Sequence, residues 1–239
     1  MAVLDLGALE PVVLSWSGGK DSALALAALR DDPRIDVRAL FTSVTRGYDR
    51  ISIHGVRRTL LHAQARAVGL PLIEIELEPQ SSNAAYEAAF RGGIDRVRAS
   101  FPEVGGIAFG DLFLEDVRAY RERLVASTGF ATHYPIWGRS TAGLAREFVA
   151  AGYVAHLVCV DTTQLSGSFA GRRFDEAFLA ELPATADPCG ERGEFHTFVS
   201  DGPIFTTPVT VRVGAVVLRD DRFAYCDLQG DEPAVASGA

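Results

Sequence analysis

The chain has 239 residues, of which 48% are hydrophobic and 23% are charged, with a formal net charge of −8 and a pI near 5.1. This composition is that of a folded globular protein and excludes a disordered chain. The acidic balance argues against an extensive nucleic-acid-binding face, although a local basic groove stays compatible with it.

The cysteines and the N-terminal residues narrow the class further. Cys159, Cys189 and Cys226 are widely spaced and form no C-x-x-C pair, so neither a disulfide framework nor a cysteine-rich zinc site is expected. Residues 1–11 lack the basic and long apolar stretches of a signal peptide. No apolar run reaches the length of a membrane helix. We therefore expect a cytoplasmic protein that does not enter membranes.

The first predicted elements are a strand at 12–15, a polar loop at 15–22 and a helix at 23–30. Backbone N–H groups at a helix start lack intrahelical partners, so this arrangement predicts an anion site. Gly18 and Gly19 allow a ligand to approach the backbone closely. Lys20 is the single lysine of the chain, beside 22 arginines, and a compact ammonium suits a phosphate. The residues assigned to this site are Ser15, Ser17, Gly18, Gly19, Lys20, Asp21 and Ser22.

Strands and helices then alternate along the chain. The strands are predicted at 37–44, 70–77, 105–112, 132–136 and 153–160. The helices are predicted at 52–68, 81–101, 114–128 and 141–151, the second of them with an interruption at Gly92-Gly93. Such alternation favours an α/β fold with a mostly parallel sheet, in which ligands bind beyond the carboxyl ends of the strands.

The pattern changes near residue 161, where glycines and prolines replace the regular alternation. Strands at 195–199, 209–217 and 223–228, with a hairpin turn at 219–222, predict a smaller α+β unit. We divide the chain into an N-terminal domain at 1–137, which carries the predicted anion site, a C-terminal domain at 138–228 and a frayed tail at 229–239.

Two further clusters carry chemistry. Gly110 and Asp111 follow a predicted buried strand, and Arg118 with Arg121 share one helix face that could meet a phosphate or carboxylate. The alternative for the arginines is an exposed helix with a pair such as Arg118–Glu122.

The second cluster is the segment 187–197, which carries Glu191, Glu194 and His196 between glycines. A carboxylate and an imidazole together can orient or deprotonate a nucleophile, or hold Mg²⁺ on a phosphate. The alternative is a glycine-rich turn whose carboxylates cap the backbone.

The motifs resemble those of a known family. Ser17-Gly-Gly-Lys-Asp-Ser22 is similar to the PP-loop of the N-type ATP pyrophosphatases. That loop, Gly110-Asp111 with its Glu-Asp-x-Arg helix, Tyr134-Pro-Ile-Trp-Gly138 and Cys189-Gly-Glu-Arg-Gly-Glu-Phe-His-Thr197 follow one another as in the diphthine–ammonia ligase family. The resemblance covers nearly the whole chain. The compact length of the chain is similar to that of bacterial members of the family.

This resemblance implies a Rossmann-like parallel sheet of the adenine nucleotide alpha hydrolase (HUP) type with a smaller C-terminal α+β domain. It implies ATP cleavage to AMP and pyrophosphate, with Mg²⁺, and amidation of an adenylated carboxylate by ammonia. The acceptor could be a protein side chain, and a homodimer is compatible with the sequence. The alternatives are a PP-loop ATPase that modifies tRNA and an adenine-nucleotide-binding protein without turnover.

The resemblance assigns ATP binding to the domain at 1–137 and acceptor binding to the domain at 138–228. Individual residues take roles from their positions in the matching motifs. The catalytic residues are predicted to be Lys20, Asp21, Glu191, Glu194 and His196. ATP binding is assigned to residues 15 and 17–22 with Gly110 and Asp111. Substrate binding is assigned to Arg118, Arg121, Gly190, Gly193 and Thr197, and Mg²⁺ to Asp21 and Asp111.

Overall fold

The computed structural model describes residues 9–47, 50–51 and 55–230. The elements of the N-terminal part are β1 (Glu10–Ser15), α1 (Lys20–Asp31), β2 (Ile35–Thr45), β3 (Arg50–Ile51), α2 (Arg58–Val68), β4 (Leu72–Leu77), α3 (Asn83–Ser100), β5 (Gly106–Ala108), α4 (Glu115–Ala126) and β6 (Ala131–His133). The elements that follow are α5 (Thr141–Ala150), β7 (Val154–Asp161), a 3₁₀ turn at Gly167–Phe169, α6 (Glu176–Glu181), β8 (Phe195–Asp201), β9 (Val211–Arg219) and β10 (Phe223–Gly230).

The first sheet is parallel apart from the short β3, with the strand order β4-β2-β1-β5-β6. Chain order reverses at β1, which has β2 on one side and β5 on the other. The loops that follow β1 and β5 therefore start side by side, at the point where such sheets bind ligands. This arrangement confirms the predicted α/β, Rossmann-like class.

The central strand forms because its sequence is apolar throughout. Val12, Val13 and Leu14 are completely buried, as expected for a strand that is covered by helices on both faces. The apolar run stops at Ser15, where the chain leaves the sheet and turns into α1.

The second sheet is antiparallel, with the strand order β8-β7-β10-β9. Its core is continuous with that of the first sheet, since Leu14 and Leu24 belong to one buried cluster with Phe195 and Phe198. An ion-pair cluster also joins the parts: Asp227 of β10 accepts from Arg57 and Arg50, which lowers the pKa of this carboxyl to about 2.

Several boundaries differ from the sequence-based prediction. β5 ends at Ala108 rather than at residue 112, because residues 109–112 leave the sheet to form a loop. β10 continues through Gly230, so the first two residues of the predicted tail lie in a strand. Residues 1–8, 48–49, 52–54 and 231–239, which include the start of the predicted helix at 52–68 and the rest of the tail, lie outside the described residues.

The predicted hairpin turn at 219–222 is confirmed: Arg222 N donates to Arg219 O, and Asp220 and Asp221 have positive φ angles. Across the described residues, no helix combines the length and apolar character that a membrane span requires.

The predicted interruption at Gly92-Gly93 is wrong, because α3 is continuous from Asn83 to Ser100. The two glycines face opposite environments. Gly93 is buried against the sheet, and a Cβ there would lie 2.4 Å from Ile75 Cγ2 and 2.7 Å from the Phe41 ring, whereas a Cβ on Gly92 would meet nothing within 4 Å. Gly93 thus permits close packing of the helix on the sheet rather than a break.

We expect opposite effects from alanine at these neighbouring positions. Gly93→Ala forces α3 away from β2 and β4 and should lower the free energy of unfolding by about 1–3 kcal/mol. Gly92→Ala should raise it by about 0.5–1 kcal/mol, since alanine favours an exposed helix interior. Urea unfolding of both variants measures the difference, and equal stabilities would contradict the close packing.

Candidate active site

One cleft lies over the carboxyl ends of β1 and β5, where the strand order reverses. Three segments form most of it: the loop after β1 with the start of α1, the loop after β5, and the segment 187–197 that leads into β8. Arg121 of α4 also lines it. The lining residues are Ser15, Ser17, Gly19, Lys20, Asp21, Ser22, Phe109, Gly110, Asp111, Arg121, Cys189, Gly190, Glu191, Gly193, Phe195, His196 and Thr197. The two motif regions that lie furthest apart in the sequence therefore meet in one site.

The N-terminus of α1 opens into this cleft. Its N-cap residue, Gly19, provides no side-chain cap, so the helix start keeps its preference for an anion. A side chain at Gly19 would press on β8, because its Cβ would lie 3.0 Å from Thr197 O. Gly110 is similarly confined, since its Cβ would lie 2.9 Å from Asp21 O.

Lys20 is buried, with 2% of its surface exposed. Its Nζ lies 2.8 Å from both carboxylate oxygens of Asp21 and also donates to the carbonyl oxygen of Cys189. Burial, the largest single effect, would lower the pKa of this ammonium, but the charge and hydrogen bond of Asp21 together with the charges of Cys189 and Glu191 outweigh it, and the pKa is raised. Lys20 is therefore a fixed positive charge that bridges the first loop and the 187–197 segment.

Strand β8 is attached to the first loop by one backbone–backbone hydrogen bond and one backbone–side-chain hydrogen bond. Val199 N donates to Gly18 O at 2.9 Å, and Lys20 N donates to Thr197 Oγ1 at 3.0 Å. These bonds fix residues of the second sheet against the N-terminus of α1. The site is consequently assembled from both parts of the chain.

The loop after β5 contributes a charged pair. Asp111 Oδ2 lies 2.8 Å from Arg121 Nε, and the guanidinium of Arg121 stacks on the Phe109 ring at 4.6 Å. Arg118, predicted to converge with Arg121, lies outside the cleft instead. It pairs with Glu122 at 2.7 Å and stacks on Tyr134 and Trp137, as the alternative interpretation of the helix predicted.

The two glutamates of the 187–197 segment have different environments. Glu194 is 1% exposed, and its carboxylate accepts from Asp187 N at 2.7 Å and Arg192 N at 2.9 Å. This is the capping role of the alternative interpretation, and Glu194 does not line the cleft. Glu191 lines it and accepts from Leu112 N at 3.0 Å.

The surroundings of Glu191 in the cleft raise the pKa of its carboxyl group. Burial raises its pKa to about 7, and Asp21 and Asp111 add to the shift, while the bond from Leu112 N and the charge of Lys20 oppose it. The group is therefore balanced between its neutral and ionised forms near neutral pH, a condition that suits proton transfer.

Of the remaining predicted residues, His196, Gly190, Gly193 and Thr197 line the cleft, and Gly18 lies beneath it. No group of three or more potential metal ligands occurs among the described residues. Asp21 and Asp111 both face the cleft, each beside one cationic side chain.

Sequence reasoning missed Gln64 of α2. This side chain is completely buried, donates from Nε2 to Gly18 O at 2.9 Å and to Val199 O at 2.5 Å, and accepts from Trp16 Nε1 at 3.2 Å. It thereby fixes both the first loop and β8. The available signal was an amide on the apolar face of an amphipathic helix, flanked by buried Leu60, Leu61 and Ala65. Cys189, Phe109 and Phe195 are further lining residues to which no role was assigned.

Comparison with known proteins agrees with this two-part arrangement. Residues 10–132 match the model of the diphthamide synthase N-terminal domain, and residues 140–229 match that of the diphthamide synthase C-terminal domain.

Three relatives named diphthine–ammonia ligase are similar to the chain. The protein of Rattus norvegicus is 25% identical over 90% of this chain and 89% of its own length. That of Danio rerio is 27% identical over 67% and 68% of the two chains. That of Schizosaccharomyces pombe is 24% identical over 84% of this chain, which spans only 36% of the yeast protein.

The buried amide leads to a stability prediction. Gln64→Leu keeps the volume but leaves Trp16 Nε1 without its acceptor and removes one donor from each of Gly18 O and Val199 O. We expect a loss of about 2–4 kcal/mol in the free energy of unfolding. Arg66→Gln on the exposed face of the same helix should change it by less than about 0.5 kcal/mol. Urea unfolding compares the two. A wild-type stability for Gln64→Leu would show that the amide does not hold the loop.

Glu191 leads to a pH prediction. Its pKa is raised from 4.5 to about 7 on folding, so the folded state binds the extra proton between these values. The wild-type protein should therefore lose stability relative to Glu191→Gln as pH rises from about 4.5 to about 7, with no further change above that range. Denaturant unfolding across this range measures the difference, and a constant difference between the two proteins would rule out a raised pKa.

Proposed function

The chain belongs to the diphthamide synthase family, and we propose that it is an ATP-dependent ligase that amidates a carboxylate with ammonia. ATP would be cleaved to AMP and pyrophosphate. The relatives named diphthine–ammonia ligase support this assignment. We further propose a cytoplasmic protein whose acceptor is a carboxylate on a protein side chain.

One observation carries the proposal: the segment 187–197 and the first loop share a single cleft. Cys189 O accepts from the Lys20 ammonium, and Thr197 Oγ1 accepts from Lys20 N. An acceptor that is bound by the segment would therefore lie beside a nucleotide that is bound by the loop. A protein that only bound nucleotide would have no need of a half-buried Glu191 at the same place.

The reaction has two steps. In the first, an oxygen of the acceptor carboxylate attacks the α-phosphorus of ATP, the bond between this phosphorus and the bridging oxygen breaks, and pyrophosphate leaves. The N-terminus of α1 and the charge of Lys20 stabilise the negative charge that develops on the phosphates. In the second step, ammonia attacks the acyl carbon, the bond to the phosphate oxygen breaks, and AMP leaves.

Glu191 is the group that we assign to the proton of the nucleophile. Ammonium has no free electron pair and must lose a proton before it attacks. The Glu191 carboxylate faces the cleft and has a pKa near 7, so its ionised form can accept that proton directly or through a water molecule. His196 and Thr197 would orient the acceptor, and Arg121 would hold a phosphate or the acceptor carboxylate.

Mg²⁺ would be held by Asp21 and Asp111. Two carboxylates fit this ion, because Mg²⁺ at nucleotides is usually bound by one or two carboxylates together with phosphate oxygens and water. Asp21 reaches the cleft from the first turn of α1, and Asp111 reaches it from the loop after β5. The ion would neutralise phosphate charge. Glu194 is assigned an indirect role, because the hydrogen bonds that it accepts from the backbone hold the shape of the 187–197 segment.

The division of the chain near residue 137 and the assembly as a homodimer remain proposals. The shared cleft and the continuous core mean that the two parts act as one unit in this mechanism.

Lys20 provides the direct test. With ATP, Mg²⁺, ammonium and a panel of carboxylate acceptors, the wild-type chain should form AMP and pyrophosphate. Lys20→Ala should reduce the rate by about 10²–10³-fold, as expected when one charge-stabilising donor is lost. Lys20→Arg should rescue little, because the buried site is fitted to a compact ammonium. Chromatography of the nucleotide products measures the reaction.

The outcomes separate the candidate functions. Formation of ADP and phosphate would overturn the proposed chemistry. Tight ATP binding without turnover under any acceptor would favour a nucleotide-binding protein. Retention of bulk tRNA at moderate salt that is lost in Lys20→Ala would favour a tRNA-modifying enzyme. Gly92→Ala serves as the control, since it lies on an exposed helix away from the cleft.

A further inference from the structure

Strand β9 forms an edge of the second sheet and is unusually apolar. Among the described residues it pairs with β10 alone. Four of its large apolar side chains, those of Val213, Val216, Val217 and Leu218, are 45–55% exposed. Apart from Leu9, these are the large hydrophobic residues that the described part of the chain leaves most exposed. Val213, Val216 and Leu218 share one face of the sheet and form a patch there, whereas Val217, opposite Tyr225, lies on the other face.

The sheet register shows why the patch exists. Val213, Val216 and Leu218 lie opposite Leu228, Cys226 and Ala224 of β10, and cross-strand partners share a face of the sheet. The β10 side chains of that face are buried. The apolar face that is buried at β10 therefore continues onto β9, where its side chains are exposed.

The other edges carry protection that β9 lacks. At β4, the carbonyl oxygen of Glu74 accepts from Arg96, and Glu74 and Glu76 alternate with apolar residues. At β8, Val199 N is bonded to Gly18 O. β9 carries no charged residue between Arg212 and Arg219, although charged side chains are the common defence of an exposed edge.

We propose that β9 pairs antiparallel with β9 of a second copy of this chain, across a twofold axis near Val216. An isologous contact needs a surface that is complementary to itself. The charges of the strand meet this condition. Arg212 lies at its start, and Asp220 and Asp221 lie in the turn at its end. Antiparallel alignment about Val216 sets Arg212 of each copy beside Asp220 of the other, and it joins the two apolar faces into one continuous surface. No residue of β9 lines the cleft, so the inference does not depend on the proposed reaction.

The test is the oligomeric state of the full chain. Light scattering coupled to size-exclusion chromatography, across a range of protein concentrations, should give a mass of twice 25.6 kDa. Val217→Arg places a charge within the pair and should weaken the dimer at least roughly tenfold, about 1.4 kcal/mol, as measured by sedimentation equilibrium. Leu9→Arg is the matched control, because Leu9 is 53% exposed but distant in sequence from β9, and it should leave the dimer intact.

A second variant reports the geometry itself. The three native cysteines are buried, so Val216→Cys introduces an accessible thiol at the proposed axis. Mild oxidation should convert it into a disulfide-linked dimer, whereas Leu9→Cys should stay uncrosslinked. Thermal unfolding confirms that each variant is folded. A wild-type chain that stays monomeric at all concentrations would overturn the proposal. So would a dimer that keeps its affinity in Val217→Arg and forms no disulfide in Val216→Cys.

Discussion

The site depends on the hydrogen bonds between β8 and the loop that follows β1. Val199 N bonds to Gly18 O, and Gln64 of α2 donates to carbonyl oxygens of the same two residues. Three elements from distant parts of the chain thus share one set of buried hydrogen bonds. Because a buried carbonyl without a partner is costly, the loop cannot move without β8. The position of the 187–197 segment over the nucleotide loop follows from this constraint.

The electrostatics of the cleft follow from burial. A buried ammonium is tolerated at Lys20 because Asp21 and the Cys189 carbonyl surround it. The same low-dielectric surroundings favour the neutral form of Glu191. One cleft therefore holds a fixed positive charge for phosphates and a carboxyl group that can exchange a proton near neutral pH. Both properties come from the closure of the segment 187–197 over the first loop.

The sequence predicted the elements better than their contacts. Apolar runs and helical spacing were enough for the parallel sheet, and strand ends located Lys20 and Asp111. The continuous course of α3 through Gly93 could not be predicted, because it depends on the shape of Ile75 and Phe41 across the interface. The separation of Arg118 from Arg121 depends on aromatic partners outside the helix. Glu194 and Glu191 look equivalent in sequence, and only the path of the loop backbone distinguishes a capping carboxylate from a cleft carboxylate. Gln64 is informative only when its neighbours in space are known.

The single lysine gives this protein a convenient chemical property. The ε-amine of Lys20 is its one side-chain primary amine, and it lies at the centre of the cleft. An amine-directed reagent therefore has a single side-chain target. Acylating reagents that react with exposed lysines should modify this amine slowly, because it is buried and protonated. A reagent that carries its own phosphate groups would be guided to the same place. Mass spectrometry of the peptide that contains Lys20 would then follow occupancy of the cleft without an engineered label.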